Sequence, residues 1–247
     1  MQRPQMILFD YGQTLADQAP FDGIRGTEAV LAYADPGRLH HTAADVQQLA
    51  DDLNRDIGRF SPGLIEAGKI EVHNYPFQRY LYEYLDIDLP LTPREVEKIF
   101  WDQASPAIPT PHIDRLLEFL QAEGIRTGVI SNISFSGEAL KERINQLLPD
   151  NHFEFILASS EYVFRKPHRR IFDLALRKAG LPSSDVWYCG DDVYCDLTGA
   201  AASGIQPVWY CGALAGRIQP EPSCAHLRLQ DWNEMITWLQ QEAAGQE

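Results

Sequence analysis

Four short stretches hold the residues with chemistry to offer. They are Asp10-Tyr11-Gly12-Gln13-Thr14, Ser131-Asn132, Arg165-Lys166-Pro167, and Gly190-Asp191-Asp192 with Asp196 further on. Together they supply carboxylates, a hydroxyl and a lysine. Three or four acidic groups held close together repel one another unless a cation lies among them. An all-oxygen set of this kind suits Mg²⁺. A metal and a lysine side by side in turn suit a phosphate group.

Short apolar runs precede these stretches and must bring them together. Met6–Phe9, 126–130, 153–158, 186–189 and Gln206–Tyr210 are of the length and character of parallel strands buried on both faces. Helical spacing lies between them. Ile113, Leu116, Leu117 and Leu120 form one stripe, with Gly124 placed to end it. Leu140, Ile144, Leu147 and Leu148 form a second, broken by Pro149. Ile171, Leu174, Ala175 and Lys178 form a third, closed by Gly180. A fourth helix is expected over 196–203, closed by Gly204. Strands alternating with helices imply right-handed crossovers, so the expected class is α/β with a doubly wound parallel sheet. Ligands of such sheets bind outside the carboxyl ends of the strands, which is the edge where the four stretches fall.

Residues 16–105 read differently. Val46, Leu49, Leu53 and Ile57, then Phe77, Leu81, Tyr84 and Leu85, then Val96, Ile99 and Phe100 all recur at helical spacing. The segment predicts an all-helical insert after the first strand, and 1–15 with 106–247 the α/β core. Pro106, Pro109 and Pro111 make a stiff return hinge.

The chain has 247 residues, 45% apolar and 23% charged, which fits one or two globular domains and not a disordered or fibrous chain. Thirty-five acidic and 21 basic residues give a net charge of −14. That balance repels nucleic-acid backbones and anionic membranes, so neither is an expected partner. No apolar run reaches the roughly 18 residues of a membrane span. The first residues lack the apolar stretch of about 7–15 that a secretory leader needs. A cytoplasmic monomer or homodimer is expected. Cys189, Cys195, Cys211 and Cys224 show no C-x-x-C spacing, so reduced, structural thiols are expected.

With these motifs in this order the chain resembles the haloacid dehalogenase superfamily, most closely its phosphatase-type members with a helical cap after the first motif. The resemblance rests on Phe9-Asp10-Tyr11-Gly12-Gln13-Thr14-Leu15, Val129-Ile130-Ser131-Asn132, Arg165-Lys166-Pro167, and Gly190-Asp191-Asp192 with Asp196 and Gly199-Ala200. It implies that Asp10 is a nucleophile that forms an aspartyl-phosphate. It implies Mg²⁺ held by Asp10, Asp191 and the backbone carbonyl of Gly12, which offsets repulsion between carboxylate and phosphate. Ser131, Asn132, Lys166 and Tyr11 would bind the phosphate, with Ser131 and Lys166 also catalytic. Asp192, Asp196 and Thr14 would support them from behind. The implied substrate is a small phosphorylated metabolite.

One position departs from the family pattern. The superfamily's phosphatases usually carry a second aspartate two residues after the nucleophile, which protonates the leaving oxygen and then activates water. Here that position is Gly12. A positioned general acid contributes about 10²–10⁴-fold. A good leaving group, an acid from the insert, or a chemistry that needs none would each answer the loss. The superfamily's dehalogenases lack the aspartate and use no metal, which the intact Gly190-Asp191-Asp192 argues against. Its phosphonate hydrolases also lack it and form a Schiff base with a cap lysine. No lysine stands between Asp10 and Lys69, so that alternative C–P chemistry falls to Lys69 or Lys98. A further alternative is a catalytically weak regulator that binds phosphorylated ligands, against which the retained Asp10 speaks.

Structural roles compete for the same residues. Asp10 could cap a helix, Asp191 and Asp192 likewise, and Ser131-Asn132 is ordinary turn chemistry. Arg165, Lys166, Arg169 and Arg170 crowd positive charge at a helix start, where it is disfavoured and where an anionic ligand would explain it. Tyr75, Phe77, Tyr80, Tyr82 and Tyr84 read as packing. His40, His41 and His73 read as exposed or hydrogen-bonded. Phe21, Asp22 and Arg25, just past the first motif, are expected to select the substrate.

Overall fold

Alternate residues of Met6–Phe9 (β1) face opposite sides of a sheet, yet all four are fully buried. Helices on both faces account for this. Met6 and Leu8 share a cluster with Ile171, Phe172 and Ala175 of the helix Arg169–Ala179. Ile7 and Phe9 share another with Leu116 and Leu120 of Ile113–Ala122 and Trp232, Met235 and Leu239 of Trp232–Ala244. Leu8→Ala would leave a cavity and cost about 2–5 kcal/mol. The computed structural model describes residues 2–59, 70–213 and 218–244.

Around β1 runs a six-stranded parallel sheet. Its order is Ile156–Ala158 (β5), Arg126–Ser131 (β4), β1, Val186–Gly190 (β6), Gln206–Tyr210 (β7) and Leu227–Leu229 (β8). Phe9 is in register with Val129 on one side and Cys189 on the other, so the residues after β1, β4 and β6 emerge together. The α/β expectation holds, with three local differences. The run 153–158 becomes a regular strand only from Ile156, although Glu154 already donates its N–H to Thr127 O and Phe155 O accepts from Val129. Strand β8 and the helix after it carried no expectation; three residues at a sheet edge, one of them exposed, show no periodicity. The helix expected over 196–203 begins as a π-turn, Val193–Thr198, and only Gly199–Ala202 is α-helical. The wider turn follows from Asp192, whose carbonyl accepts from both Asp196 and Leu197 and whose side chain accepts from the Cys195 N–H.

After the loop that follows β1, Ala16–Gln18 (β2) pairs antiparallel with Ala107–Pro109 (β3). The proline-rich return is therefore a strand of a two-stranded ribbon, not a bare hinge. Between the ribbon strands lie the helices Gly23–Leu31, Ala43–Asp56, Asn74–Tyr84 and Pro93–Ala104. Thr42 with Asp45 and Thr92 with Glu95 form capping boxes that start two of them, and Pro93 opens the last. Their apolar stripes meet in a cluster of their own, including Val30, Val46, Leu81 and Val96. The sheet and these helices are joined where Trp101 stacks on Phe135 at 4.4 Å and Arg143 lies 4.5 Å over the Trp101 ring.

Candidate active site

Asp10 begins where β1 stops, its N–H donating to Cys189 O at 2.8 Å. Lys166 reaches it from the loop before Arg169–Ala179 and is buried, 2% exposed. The Lys166 Nζ lies 2.9 Å from Asp10 Oδ1 and 2.6 Å from Asp196 Oδ1, and donates to the Tyr188 hydroxyl at 2.6 Å. Tyr188 in turn donates to Ile130 O at 3.0 Å. Burial alone would push the ammonium down; Asp10 and Asp196 more than offset it and hold the lysine charged. Asn132 clamps the lysine's backbone from both sides, accepting from Lys166 N at 2.6 Å and donating to Lys166 O at 2.8 Å. Ser131 ends β4 beside it, buried.

One carboxylate oxygen from each of Asp10, Asp191 and Asp196 lies within 4.8 Å of the other two. Asp196 comes this close because Gly190 has no side chain: a Cβ there would overlap the Asp196 carboxyl. Burial pushes the Asp191 carboxyl well up, and the charges of Asp196 and Asp10 push it further. Burial does the same to Asp196, with Lys166 pulling back. Three acids share one base, and the donors are all oxygen. That set fits a hard divalent cation such as Mg²⁺.

The expected residues divide on inspection. Asp10, Lys166, Asp191, Ser131 and Asn132 gather at one edge. Asp196 joins the carboxylate cluster itself and is not set behind it. Asp192 accepts from the Cys195 N–H at 2.7 Å, the capping role that competed with a catalytic one. Tyr11 departs from expectation in its side chain. The ring is 1% exposed, lies edge-on to Trp101, and its hydroxyl accepts from Arg143 at 2.8 Å. Burial pushes that phenol up to about 12, with Arg143 opposing. A phosphate at Tyr11 can meet only its backbone. Thr14 is buried, its carbonyl accepting from Thr110 at 2.7 Å. Gly12 is not in the left-handed region; Gln13 is, at φ 53°.

Two other charges of the crowded helix start are paired, Arg165 lying 3.4 Å from Glu71 and Arg169 3.4 Å from Asp173, while Arg170 lies 5.7 Å over the Phe164 ring. Lys98 pairs with Asp102 at 2.8 Å on the surface; Lys69 lies outside the described residues. A cavity of 440 Å³ opens between the helical segment and the sheet edge. Among the described residues its lining is mainly apolar, with Phe21, Phe77, Leu81 and Phe100 facing Asn132, Phe135 and Arg165. Phe21 is thus where it was expected. Asp22 instead caps the helix Gly23–Leu31, and Arg25 turns to Gln103. Tyr82 and Phe77 line the cavity as well as packing, while Tyr80 and Tyr84 stack on each other in the open. His73 caps Asn74–Tyr84. Tyr188 escaped the sequence reading: in an apolar strand nothing marks one tyrosine as the lysine's support, although strand alternation puts it on the same side as Gly190.

Comparisons with known proteins agree with this fold. The family model described as haloacid dehalogenase-like hydrolase matches residues 7–210. A glyceraldehyde 3-phosphate phosphatase of Pyrococcus furiosus is 26% identical over 227 residues, covering 85% of this chain and 82% of that protein. One from Methanothermobacter thermautotrophicus is 32% identical over 220 residues, covering 82% and 83%. Among solved structures, a 2-haloacid dehalogenase from Pseudomonas syringae superposes with a TM-score of 0.66 at 21% identity, covering 98% and 99% of the two chains. That likeness speaks for the fold alone. Among the described residues no helix is long and apolar enough to cross a membrane.

Proposed function

As the chain belongs to the haloacid dehalogenase-like hydrolase family, we propose that this hydrolase is a Mg²⁺-dependent phosphatase of a small phosphorylated metabolite that works through an aspartyl-phosphate at Asp10. The observation that carries the reading is Lys166 Nζ, buried and held 2.9 Å from Asp10 within a cluster of three carboxylates. A dehalogenase has no use for that acid surplus. The relatives named as phosphatases support the same choice.

Asp10 attacks phosphorus, an O–P bond forms, and the bond to the leaving oxygen breaks with its electron pair. Lys166 holds the nucleophile in place and faces the transferring group with a fixed charge. Ser131 and the backbone beside Asn132 and Tyr11 take phosphoryl oxygens. Asp10, Asp191 and the Gly12 carbonyl would hold Mg²⁺, with Asp196 in the same cluster fixing Lys166. Bound Mg²⁺ would supply charge neutralisation between phosphate and carboxylate. Residues 16–105 act as a cap on the core formed by 1–15 and 106–247, moving on the β2–β3 ribbon and shutting water out. The 440 Å³ cavity then receives the leaving group, which its lining favours when part of that group is apolar.

With Gly12 at the acid's position, the leaving oxygen departs without a proton from the first motif. Turnover should fall steeply as leaving-group pKa rises, so aryl phosphates outrun alkyl phosphates. Gly12→Asp should raise alkyl phosphate turnover by at most about 10²–10⁴-fold, since backbone conformation does not forbid a side chain there, although the Gln18 carboxamide must move aside for it. A flat series of phosphoenzyme-formation rates across leaving groups in the unmutated enzyme would show that an acid exists elsewhere.

A further inference from the structure

The side of Gly12 where a side chain would stand is taken by a single polar group. A Cβ built on Gly12 would lie 2.5 Å from Gln18 Oε1 and 3.6 Å from Gln18 Cδ, with nothing else within 4 Å apart from its chain neighbours. One polar group is therefore aimed at the place of the absent side chain, and it comes from the other side of the turn. We propose that the Gln18 carboxamide is the positioning residue of this site, orienting the water that cleaves the aspartyl-phosphate; the proposal rests on Asp10 being the nucleophile.

The backbone beneath Gln18 is tied to the loop that carries Asp10. Gln13 donates its side-chain N–H to Gln18 O at 3.0 Å and its backbone N–H to Ala16 O at 2.7 Å. Across the ribbon Gln18 pairs with Ala107. Its carboxamide thus leaves from a strand fixed at both edges, and the missing side chain of Gly12 leaves it room. Gly12 and Gln18 are complementary: any Cβ at 12 displaces the amide.

A carboxamide offers one acceptor oxygen and two N–H donors, and takes no proton at working pH. It can hold a water on line for attack, as glutamine does in other phosphoryl-transfer sites, but it cannot be a general base. The step closes without one. The water oxygen bonds to phosphorus, and the P–O bond to Asp10 breaks with its electron pair returning to the carboxylate. One water proton passes to a phosphoryl oxygen, so the product leaves as dihydrogen phosphate. Nothing in this role helps the first step, in which the leaving group departs. The effect of Gln18 therefore falls on breakdown of the phosphoenzyme and not on its formation.

Rapid-quench kinetics with p-nitrophenyl phosphate and Mg²⁺ separate the two steps. In Gln18→Ala, formation of the phosphoenzyme should stay within about threefold of wild type. Its breakdown should slow by roughly 10–10²-fold, the scale of a lost alignment, so covalent phosphate on the protein accumulates towards one per chain. Gln18→Glu keeps the length and an acceptor oxygen and should recover most of the breakdown rate, with a pH dependence the wild type lacks. Unchanged breakdown in a folded Gln18→Ala protein overturns the proposal, as does a loss confined to phosphoenzyme formation. Asp10→Asn is the separate control: it should trap no phosphate in any background, and turnover by that variant would end the nucleophile reading whatever Gln18 does.

Discussion

Two charge clusters meet at the consecutive residues Arg165 and Lys166, and they are built with opposite imbalances. At the sheet edge Asp10, Asp191 and Asp196 share Lys166. Facing the cavity, Glu71 is shared by Arg59 at 3.6 Å and Arg165 at 3.4 Å, and it accepts from Ser159 at 2.9 Å. The first cluster has three acids to one base, the second one acid to two bases. Their exposure differs too. The Lys166 and Asp196 side chains are 1% exposed, whereas Arg165 is 31% exposed and can still be met by water. A surplus of charge is tolerable where water reaches it and costly where it does not. On the proposed reading a cation completes the acid-rich cluster and chemistry belongs there, while the base-rich one ties Glu71 to Arg59, Arg165 and Ser159 beside the cavity.

The sharpest way to break this contrast is to remove one acid from each cluster. Asp10→Asn should lower phosphate release by roughly 10⁴-fold or more, the scale of losing a nucleophile, with the melting curve retained. Glu71→Gln should leave a measurable enzyme. Comparable losses in both variants would dissolve the distinction.

Removing a base is the next largest test. Lys166→Met strips the acid-rich cluster of its only ammonium and leaves Asp196 buried and uncompensated. Denaturant unfolding without metal should show a loss of about 3–5 kcal/mol. Arg165→Met leaves Glu71 its other arginine at a partly exposed site, and should cost only about 0–1 kcal/mol. A large cost at Arg165 would mean that the second cluster is as finely balanced as the first.

These clusters also mark where the sequence could be read and where it could not. Asp10, Ser131 and Asp191 were legible because each follows an apolar run, and a parallel sheet brings the ends of its strands together. Lys166 was legible as part of a motif, but not every one of its supports was. Tyr188 lies in a strand whose apolar character hides it. Asp196 was legible as a supporting acid, but nothing in the spacing announces that Asp192 opens a π-turn there and brings Asp196 into the carboxylate cluster. Gln18 was invisible for another reason. Its role depends on the space Gly12 leaves, and that is a fact about two residues facing each other across a turn. The Glu71 cluster joins Arg59, Glu71 and Arg165 from separate segments, and side-chain direction over such separations has no local signature. Asp22 is the opposite case: expected to select the substrate, it caps the helix Gly23–Leu31.

Metal binding gives a middle-sized test. Mg²⁺ at about 100 times its Kd should stabilise the protein by roughly 2.7 kcal/mol, seen as a raised melting temperature. Asp191→Asn should remove that gain. Asp196→Asn should remove less, because the Asp196 oxygens already accept from Lys166 and from the Asp192 N–H at 3.0 Å. Glu71→Gln should leave the gain intact. Equal loss at Asp191 and Asp196 would place both among the metal's ligands.

The smallest expected effect comes from a further buried acid that, among the described residues, has no base in hydrogen-bond contact. Glu97 is fully buried on the helix Pro93–Ala104. It accepts from Ser136 N at 3.0 Å, from Asn74 Nδ2 at 3.1 Å, and from the Ser136 hydroxyl. Burial raises its pKa above the ordinary carboxyl range; those hydrogen bonds, and more weakly the charge of nearby His73, oppose the rise without cancelling it. The folded protein therefore holds this proton more tightly than the unfolded chain does. The stabilisation is fully present below the unfolded pKa and is lost as pH rises through the folded one. Glu97→Gln cannot ionise and keeps an acceptor for the Ser136 N–H, so it should lack that decline. Unfolding free energies of wild type and variant, measured from pH 4 to pH 8, should move in the variant's favour as pH rises. A difference independent of pH would mean that the hydrogen bonds cancel the effect of burial and leave the proton affinity of Glu97 as it is in the unfolded chain, so that a buried carboxyl in this fold needs neither a cation nor a base.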